Sequence, residues 1–293
     1  MSKSAAEEAQ SPFDWIVIGS GPAGQRAAVQ AAKLKKKVLI VERENWGGAC
    51  VHKGTIPSKS LKEAALLNEA RLENAWEKIL LKKDRVLRNE ADIIANQLDR
   101  NGVRRVRGQA SFVSQDQIKV GEHVYHGKKF LIAVGTRPCR GPDFPWELAD
   151  LYDSDTILEM KQSPESLLVI GAGVIGCEYA SIFARLGVKV TLVDRRKELL
   201  RSVDQEIVER LKKHFEEMEI TLEIGTDFSG LRAGPGGRGI DVELGGRSAA
   251  FSAGLVCMGR EGNVDTLDLA AIGVKSSDRG IISVNGEYQT NLS

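Results

Sequence analysis

Apolar runs and helical spacings alternate along this chain. Asp14 to Gly19 carries Trp15-Ile16-Val17-Ile18 and reads as a buried strand. Pro22 to Lys33 is Ala-rich with helical spacing, and Lys37 to Glu42 reads as a second strand. The plan recurs at Leu167 to Ile170 (strand), Val174 to Leu186 (helix) and Lys189 to Asp194 (strand). The two copies are offset by 152 residues (171 − 19), too long a period for a solenoid, so the pattern predicts a duplicated βαβ fold. Between them, Trp46 to Gly54 reads as a Gly-rich loop. Pro57 to Arg100 is helix-forming and too long for one ordinary helix, which predicts a fold-back near Lys82 to Asp84. Strands follow at Val103 to Val106, Ala110 to Val113, Gln117 to Val120 and Lys129 to Val134. Gly141 to Ser163, rich in Pro, Asp and Ser, reads as a connection. Asp204 to Met218 is an amphipathic helix and Thr221 to Ile224 a strand. Ala233 to Gly239 is a hairpin tip, and Leu255 to Met258 a buried strand.

Composition narrows the class. Hydrophobic residues make up 42% and charged residues 28%, which suits a globular fold rather than a disordered chain. A net charge of +1 supplies no field for nucleic acid or an anionic membrane. No apolar run approaches the ~20 residues that span a bilayer. Met1 to Pro12 is polar and reads as a flexible leader without the apolar core of a signal peptide. Cys50, Cys139, Cys177 and Cys257 are far apart, with no histidine at metal-ligand spacing, so no metal is expected and a reducing cytoplasm is the natural compartment.

Each strand-to-helix turn carries a glycine fingerprint. The first is Gly19-Ser20-Gly21-Pro22-Ala23-Gly24, and the second Gly171-Ala172-Gly173-Val174-Ile175-Gly176. In such a motif the first glycine allows the tight turn and the second lets backbone approach a pyrophosphate. The third lets helix and strand pack closely, while the helix N-terminus offers N–H groups to the anion. An acid follows at the end of the next strand, 18 residues on in both copies: Glu42 (42 − 24) and Asp194 (194 − 176). Such an acid accepts hydrogen bonds from ribose hydroxyls. Arg195 and Arg196 follow Asp194 directly and read two ways, as a grip on the 2′-phosphate of NADP(H) or as a solvated turn. The choice between NAD and NADP is left open.

The segment Trp46-Gly47-Gly48-Ala49-Cys50-Val51-His52-Lys53-Gly54-Thr55-Ile56-Pro57-Ser58-Lys59 resembles the active-site stretch of the pyridine nucleotide–disulfide oxidoreductases. In that family two cysteines five positions apart form a redox disulfide beside a flavin. Here Cys50 has Thr55 in the second position, and one thiol cannot form that disulfide. The Gly-Gly-x-Cys and Gly-Thr-Ile-Pro-Ser-Lys pattern is similar to the soluble NAD(P) transhydrogenase branch of the family. Cys177-Glu178-Tyr179 and Tyr152-Asp153-Ser154-Asp155-Thr156 are similar to it as well.

The resemblance implies an α/β fold with two Rossmann-like domains, the NAD(P) domain inserted in the FAD domain. The implied borders are 13–160 for an incomplete FAD-binding domain with a helical hairpin over about 57–100, 161–280 for the NAD(P)-binding domain, and 281–293 for a return segment. It implies non-covalent FAD, with NAD(H) and NADP(H) as substrates. Gly19, Gly21, Gly24, Glu42, Gly47, Gly48 and Cys50 would serve the FAD side, with Ala110 contacting adenine and Gly135-Thr136 closing over the nucleotide. Gly171, Gly173, Gly176, Asp194, Arg195 and Gly259 would serve the pyridine nucleotide. Lys59 and Glu178 would form a catalytic pair near the flavin, Cys50 standing beside them as a candidate. Plainer readings accompany these: Lys59 as a first-turn lysine, Glu178 as a surface helix acid, Cys50 as a small packing residue.

Members of the family continue beyond Ser293 with a further flavin-contacting Gly-Asp motif and a dimerisation domain, so the chain reads as C-terminally truncated. The expected activity is hydride exchange between NADPH and NAD. An NADH-dependent oxidase or quinone reductase, a split-enzyme half, and a non-enzymatic binding fragment that needs a partner stand as alternatives.

Overall fold

The structure, a computed structural model, describes residues 11–67 and 75–292. The leader expected over residues 1–12 lies almost wholly outside them. Along the chain run β1 (Phe13–Ile18), α1 (Pro22–Lys33), β2 (Val38–Glu42), α2 (Gly48–His52), α3 (Thr55–Leu66) and α4 (Ala75–Arg100). Then come β3 (Arg104–Arg107), β4 (Ala110–Ser114), β5 (Gln117–Val120), β6 (His123–Ile132), β7 (Thr136–Pro138), β8 (Leu151–Asp153) and β9 (Ser166–Ile170). The rest comprises α5 (Val174–Arg185), β10 (Lys189–Asp194), α6 (Gln205–Glu217), β11 (Thr221–Ile224), β12 (Phe228–Ala233), β13 (Ile240–Leu244), β14 (Arg247–Phe251), β15 (Ala253–Val256) and β16 (Arg260–Gly262).

Two compact units share these elements. The first comprises residues 1–52, 86–137 and 260–293, and the second residues 53–85 and 138–259. The contacts thus draw Lys53–Arg85 to the second unit, where Leu61, Ala64 and Ile79 are buried in one cluster with Tyr179 and Phe183. They return Arg260–Ser293 to the first unit, where Leu267, Leu269 and Ile272 join the cluster around Phe13 and Ile16.

In the first unit a six-stranded sheet has the order β3-β2-β1-β6-β5-β4. β1 lies parallel to β2 and β6, while β5 pairs antiparallel with β4 and β6. β2 is buried at every position, as a central parallel strand covered on both faces must be. Leu39 and Ile40 are fully buried, each contributing roughly 1.5–3 kcal/mol of transfer free energy. In the second unit a parallel sheet runs β11-β10-β9-β15-β8, accompanied by the antiparallel meander β12-β13-β14.

Three expectations are corrected. Trp46 to Gly54 is not all loop, since Gly48–His52 forms a helical turn, α2. The chain does not fold back at Lys82–Asp84, because α4 runs unbroken for 26 residues, about 39 Å. It contains no Gly or Pro, and Lys83 is buried there with its Nζ donating to Leu158 O at 2.8 Å. α4 ends where Gly102 takes a φ of +71° and Val103 N returns to Leu98 O. The connection 141–163 contains β8, which pairs parallel with β15 and forms an edge of the second sheet.

Candidate dinucleotide cradles and a lysine–glutamate pair

The first cradle starts where β1 stops. Gly19 N donates to Val41 O at 2.8 Å and Ala133 N to Ile18 O at 2.8 Å, so the turn is hung from both neighbouring strands. A Cβ on Gly24 would lie 1.9 Å from Gly19 O, so α1 seats directly on the turn. A Cβ on Gly21 would meet nothing within 4 Å. Gly21 is the N-cap of α1, no side chain caps it, and Pro22 follows. The uncapped first turn beside that open space is a place for an anion.

Glu42 is buried at the end of β2. Its Oε2 accepts Ser20 N at 2.9 Å and Ser20 Oγ at 2.7 Å, and its Oε1 accepts Glu44 N at 2.9 Å. Ser20 Oγ also accepts Gly47 N at 3.0 Å, tying the Gly47-Gly48 loop to the fingerprint turn. Gly48 has φ +61°, and a Cβ there would stand 3.0 Å from Gly21 Cα. The backbones of both loops thus come together without side chains, as a diphosphate cradle needs. Farther along, Thr136 accepts from Arg260 at its Oγ1 (2.8 Å) and its carbonyl (2.7 Å). Gly135 O accepts Asn263 N at 3.1 Å. Ala110 is buried at the start of β4, its carbonyl taking the Gln109 side-chain amide at 2.9 Å.

The second cradle repeats this construction. Gly171 N donates to Val193 O at 2.8 Å and Cys257 N to Ile170 O at 2.7 Å. A Cβ on Gly176 would lie 1.9 Å from Gly171 O, and one on Gly173 would meet nothing within 4 Å. Gly173 caps α5, again without a side-chain cap. The acid differs in its partners. Asp194 Oδ2 accepts Ala172 N at 2.8 Å and Arg196 Nη2 at 2.7 Å, while Oδ1 accepts Arg196 N at 2.9 Å and Nε at 3.1 Å. Burial pushes the Asp194 carboxyl up, but the Arg196 guanidinium and the two backbone N–H groups outweigh it and hold the group below the usual carboxylate range.

Arg195 takes another course. Its guanidinium lies 4.4 Å from the Phe228 ring centroid, and its Nη2 donates to Phe228 O at 2.8 Å. It borders a hollow of about 430 Å³ lined by Phe144, Phe228, Leu231 and Met258 among others. Gly259, with φ +100° and open space at its Cβ position, follows Met258.

Lys59 on α3 and Glu178 on α5 form an ion pair through Nζ and Oε1. The Ser58 hydroxyl, on a buried residue, also donates to Glu178 Oε1 at 3.2 Å. The α3 turn beginning at Thr55 presents Ser58 and Lys59 together to one carboxylate.

Residues 13–293 match the family described as pyridine nucleotide-disulphide oxidoreductase. The chain belongs to this family. It is 38% identical over 300 residues to the soluble pyridine nucleotide transhydrogenase of Mycobacterium tuberculosis (strain ATCC 25177 / H37Ra), covering 96% of this chain and 64% of the relative. To the transhydrogenase of the same name from Photorhabdus laumondii it is 36% identical over 297 residues, covering 95% and 64%. Among solved structures it is similar to the HOCl-induced flavoprotein disulfide reductase RclA from Escherichia coli. The TM-score is 0.88 at 25% identity, covering 95% of this chain and 64% of that one. The chain therefore spans 64% of the length of these relatives.

The four cysteines of this chain are free and form no disulfide. Cys50 is half-buried within α2, and Thr55 opens α3 as an exposed residue. Burial, aided by the Asp194 charge, pushes the Cys177 thiol up to about 12, and burial with the Asp153 charge pushes the Cys257 thiol up as well. Neither is a thiolate at neutral pH. No group of residues suited to a metal occurs among the described residues, and no helix there is long and apolar enough to cross a membrane.

The structure brings Gly19, Gly21, Gly24, Glu42, Gly47 and Gly48 together, and separately Gly171, Gly173, Gly176 and Asp194, while Arg195 lies on Phe228 instead. Sequence reasoning missed Ser20, which links two loops through one hydroxyl, and Ser58, which shares Glu178 with Lys59. For Ser20 the available signal was a hydroxyl between the first two fingerprint glycines, where the second copy has Ala172.

Proposed function

We propose that this chain is the nucleotide-binding portion of an FAD-dependent enzyme that exchanges hydride between NADP(H) and NAD(H). One observation carries the reading: two cradles of the same construction occur in a chain whose cysteine motif has Thr55 where a second thiol would stand. When bound, a flavin would supply the two-electron relay between the two nicotinamides. The first unit fits FAD. Its α1 N-terminus, Gly21 and Gly48 would hold the diphosphate, and Glu42 would take the adenosine ribose. The second unit fits the pyridine nucleotide, with Gly173 and the α5 N-terminus at the diphosphate and Asp194 to Arg196 at the ribose.

Exchange between two nicotinamides consumes no net proton, so the chain needs no acid–base residue and no sulfur relay. Its own task is to bind and orient the cofactors and keep water out. In this reading Lys59 lends positive charge to the reduced flavin, and Glu178 with Ser58 fixes the ammonium. The names of the transhydrogenase relatives support the assignment.

An anaerobic titration of the flavin-loaded protein tests it. NADPH should bleach the flavin absorbance, and NAD should restore it. Bleaching without restoration by NAD, together with fast reoxidation by oxygen or a quinone, would point to the oxidase or quinone reductase alternative.

A further inference from the structure

The near-neutral net charge averages over an uneven distribution. Six lysines gather at the end of the first sheet opposite its cradle: Lys33, Lys35, Lys36 and Lys37 where α1 passes into β2, and Lys128 and Lys129 on β6. All six are exposed. The strand register brings the two groups together, since Trp15 of β1 lies opposite both Val38 and Lys129. Asp14 stands among them, its Oδ2 accepting Lys37 N at 2.9 Å and its Oδ1 accepting Lys128 Nζ at 2.8 Å. One carboxylate against six ammoniums leaves this end basic.

The duplicated unit shows that the turn can be built without these charges. Lys35 N donates to Ala32 O at 2.9 Å and Lys36 N to Ala31 O at 3.1 Å at the end of α1. At the end of α5, Gly187 N donates to Ala184 O and Val188 N to Phe183 O, both at 3.0 Å. The first residue of each pair is left-handed, with φ +61° at Lys35 and +88° at Gly187. Glycine takes that conformation without strain, and lysine does not. Val188 is buried, whereas Lys36 is exposed. Leu34, before the turn, is 63% exposed, while its counterpart Leu186 packs against the core of the second unit. The first copy thus holds two cations and a bare leucine where the second holds a glycine and a core valine. A strained, charged turn where an unstrained apolar one is available points to a use for the charges.

We propose that this lysine face is a docking surface for an acidic polypeptide segment of a partner protein, with Leu34 as its apolar contact. Asp14 shows the chemistry that fits, a carboxylate taking an ammonium and a backbone N–H at once. The exposed leucine suits a protein segment better than a phosphodiester backbone. The face is also stepped, because His123 to His126 of β6 pair with β5, beyond the level at which Gly127 meets Phe13. A chain segment can lie in such a step, and a flat bilayer cannot. The first cradle lies at the other end of the strands, so a docked partner leaves it free. The inference does not depend on the nucleotide reading.

The test is fluorescence anisotropy of a fluorescein-labelled, glutamate-rich peptide with central leucines, titrated with the full chain at low and high salt. The unaltered chain should bind, and salt should weaken the binding. Lys35→Gly with Lys36→Val installs the residues of the second copy. That variant should bind about 3- to 20-fold more weakly while its thermal midpoint holds or rises. Lys33→Gln with Lys129→Gln leaves the turn untouched, should weaken binding to a similar degree, and carries the test should the first variant fold poorly. Lys161→Gln with Lys213→Gln removes the same charge from exposed positions of the second unit and should leave binding within about twofold. Equal weakening by that pair would reduce the effect to net charge and overturn the proposal. Absence of binding by the unaltered chain, or unchanged binding in both lysine-face variants, would overturn it as well. Tighter binding of a single-stranded oligonucleotide or of phosphatidylserine vesicles than of the peptide would overturn it in favour of those surfaces.

Discussion

Ser20 gives both its backbone N–H and its hydroxyl to one oxygen of Glu42, and the same hydroxyl accepts the N–H of Gly47. One side chain thus joins the fingerprint turn, the end of β2 and the start of the Gly47-Gly48 loop. Ser20→Ala leaves the Gly47 N–H without its acceptor and removes one of the two hydrogen bonds to Oε2 of the buried Glu42, the backbone N–H of residue 20 remaining. The expected loss is about 1–3 kcal/mol of stability for the first unit, read from urea unfolding with an unchanged m-value. Thr55→Ser, at an exposed position, serves as a control and should be silent.

The third and second glycines of each fingerprint should separate stability from binding. Gly176→Ala puts a Cβ 1.9 Å from a backbone oxygen, so α5 must move off the sheet. A cost at or above the usual 1–3 kcal/mol of overpacking is expected, with loss of soluble protein. Gly173→Ala puts the same atom into open space. It should cost about 1 kcal/mol, for the poorer N-cap, yet obstruct a bound diphosphate. Thermal unfolding and nucleotide binding measured on both variants check the contrast. Equal effects on stability would contradict the geometry.

Much of this was legible in the chain, for a physical reason. The glycine spacings, the strand-end acids and the edges of α1, β10 and β11 follow from steric rules that act over a few residues. The fold-back at Lys82–Asp84 failed because length alone argued for it, while no residue there breaks a helix. β8 was hidden because Leu151-Tyr152-Asp153 is short and becomes a strand only by pairing with β15, which lies about 100 residues later. The Arg196–Asp194 pairing was equally out of reach, since three consecutive charged residues at a strand end do not say which of them face one another.

Acid should weaken the second unit at identifiable carboxylates. Burial pushes the Asp153 carboxyl up, but the Thr156 backbone and hydroxyl donors and the Arg140 guanidinium reverse this and hold it below its ordinary range. Asp194 is held low in the same way. A folded value below the unfolded one adds stability above the unfolded pKa, near 3.9, and that stability is lost as pH falls through the folded value. Stability measured from pH 6 to pH 2 should therefore fall less steeply for Asp153→Asn than for the unaltered chain, although Asp153→Asn starts lower. A parallel decline would exclude Asp153 from the acid response.

Lys59 and Glu178 offer the sharpest test of the proposed chemistry, because their pairing is reinforced by Ser58 from the same turn. If Lys59 supplies charge to the reduced flavin, Lys59→Met removes a preorganised electrostatic partner of the kind worth about 10²–10³ in rate. The flavin of that variant should be reduced by NADPH about 10²-fold more slowly, and its midpoint potential should fall. Ser58→Ala leaves the ammonium and its ion pair in place and removes only the hydroxyl's bond to the Glu178 carboxylate, so a smaller loss is expected, on the order of a few-fold. Glu178→Gln should fall between the two. Stopped-flow reduction at saturating nucleotide separates these from binding effects. An unchanged potential in Lys59→Met would return the lysine to an ordinary helix residue and leave hydride exchange to cradle geometry alone.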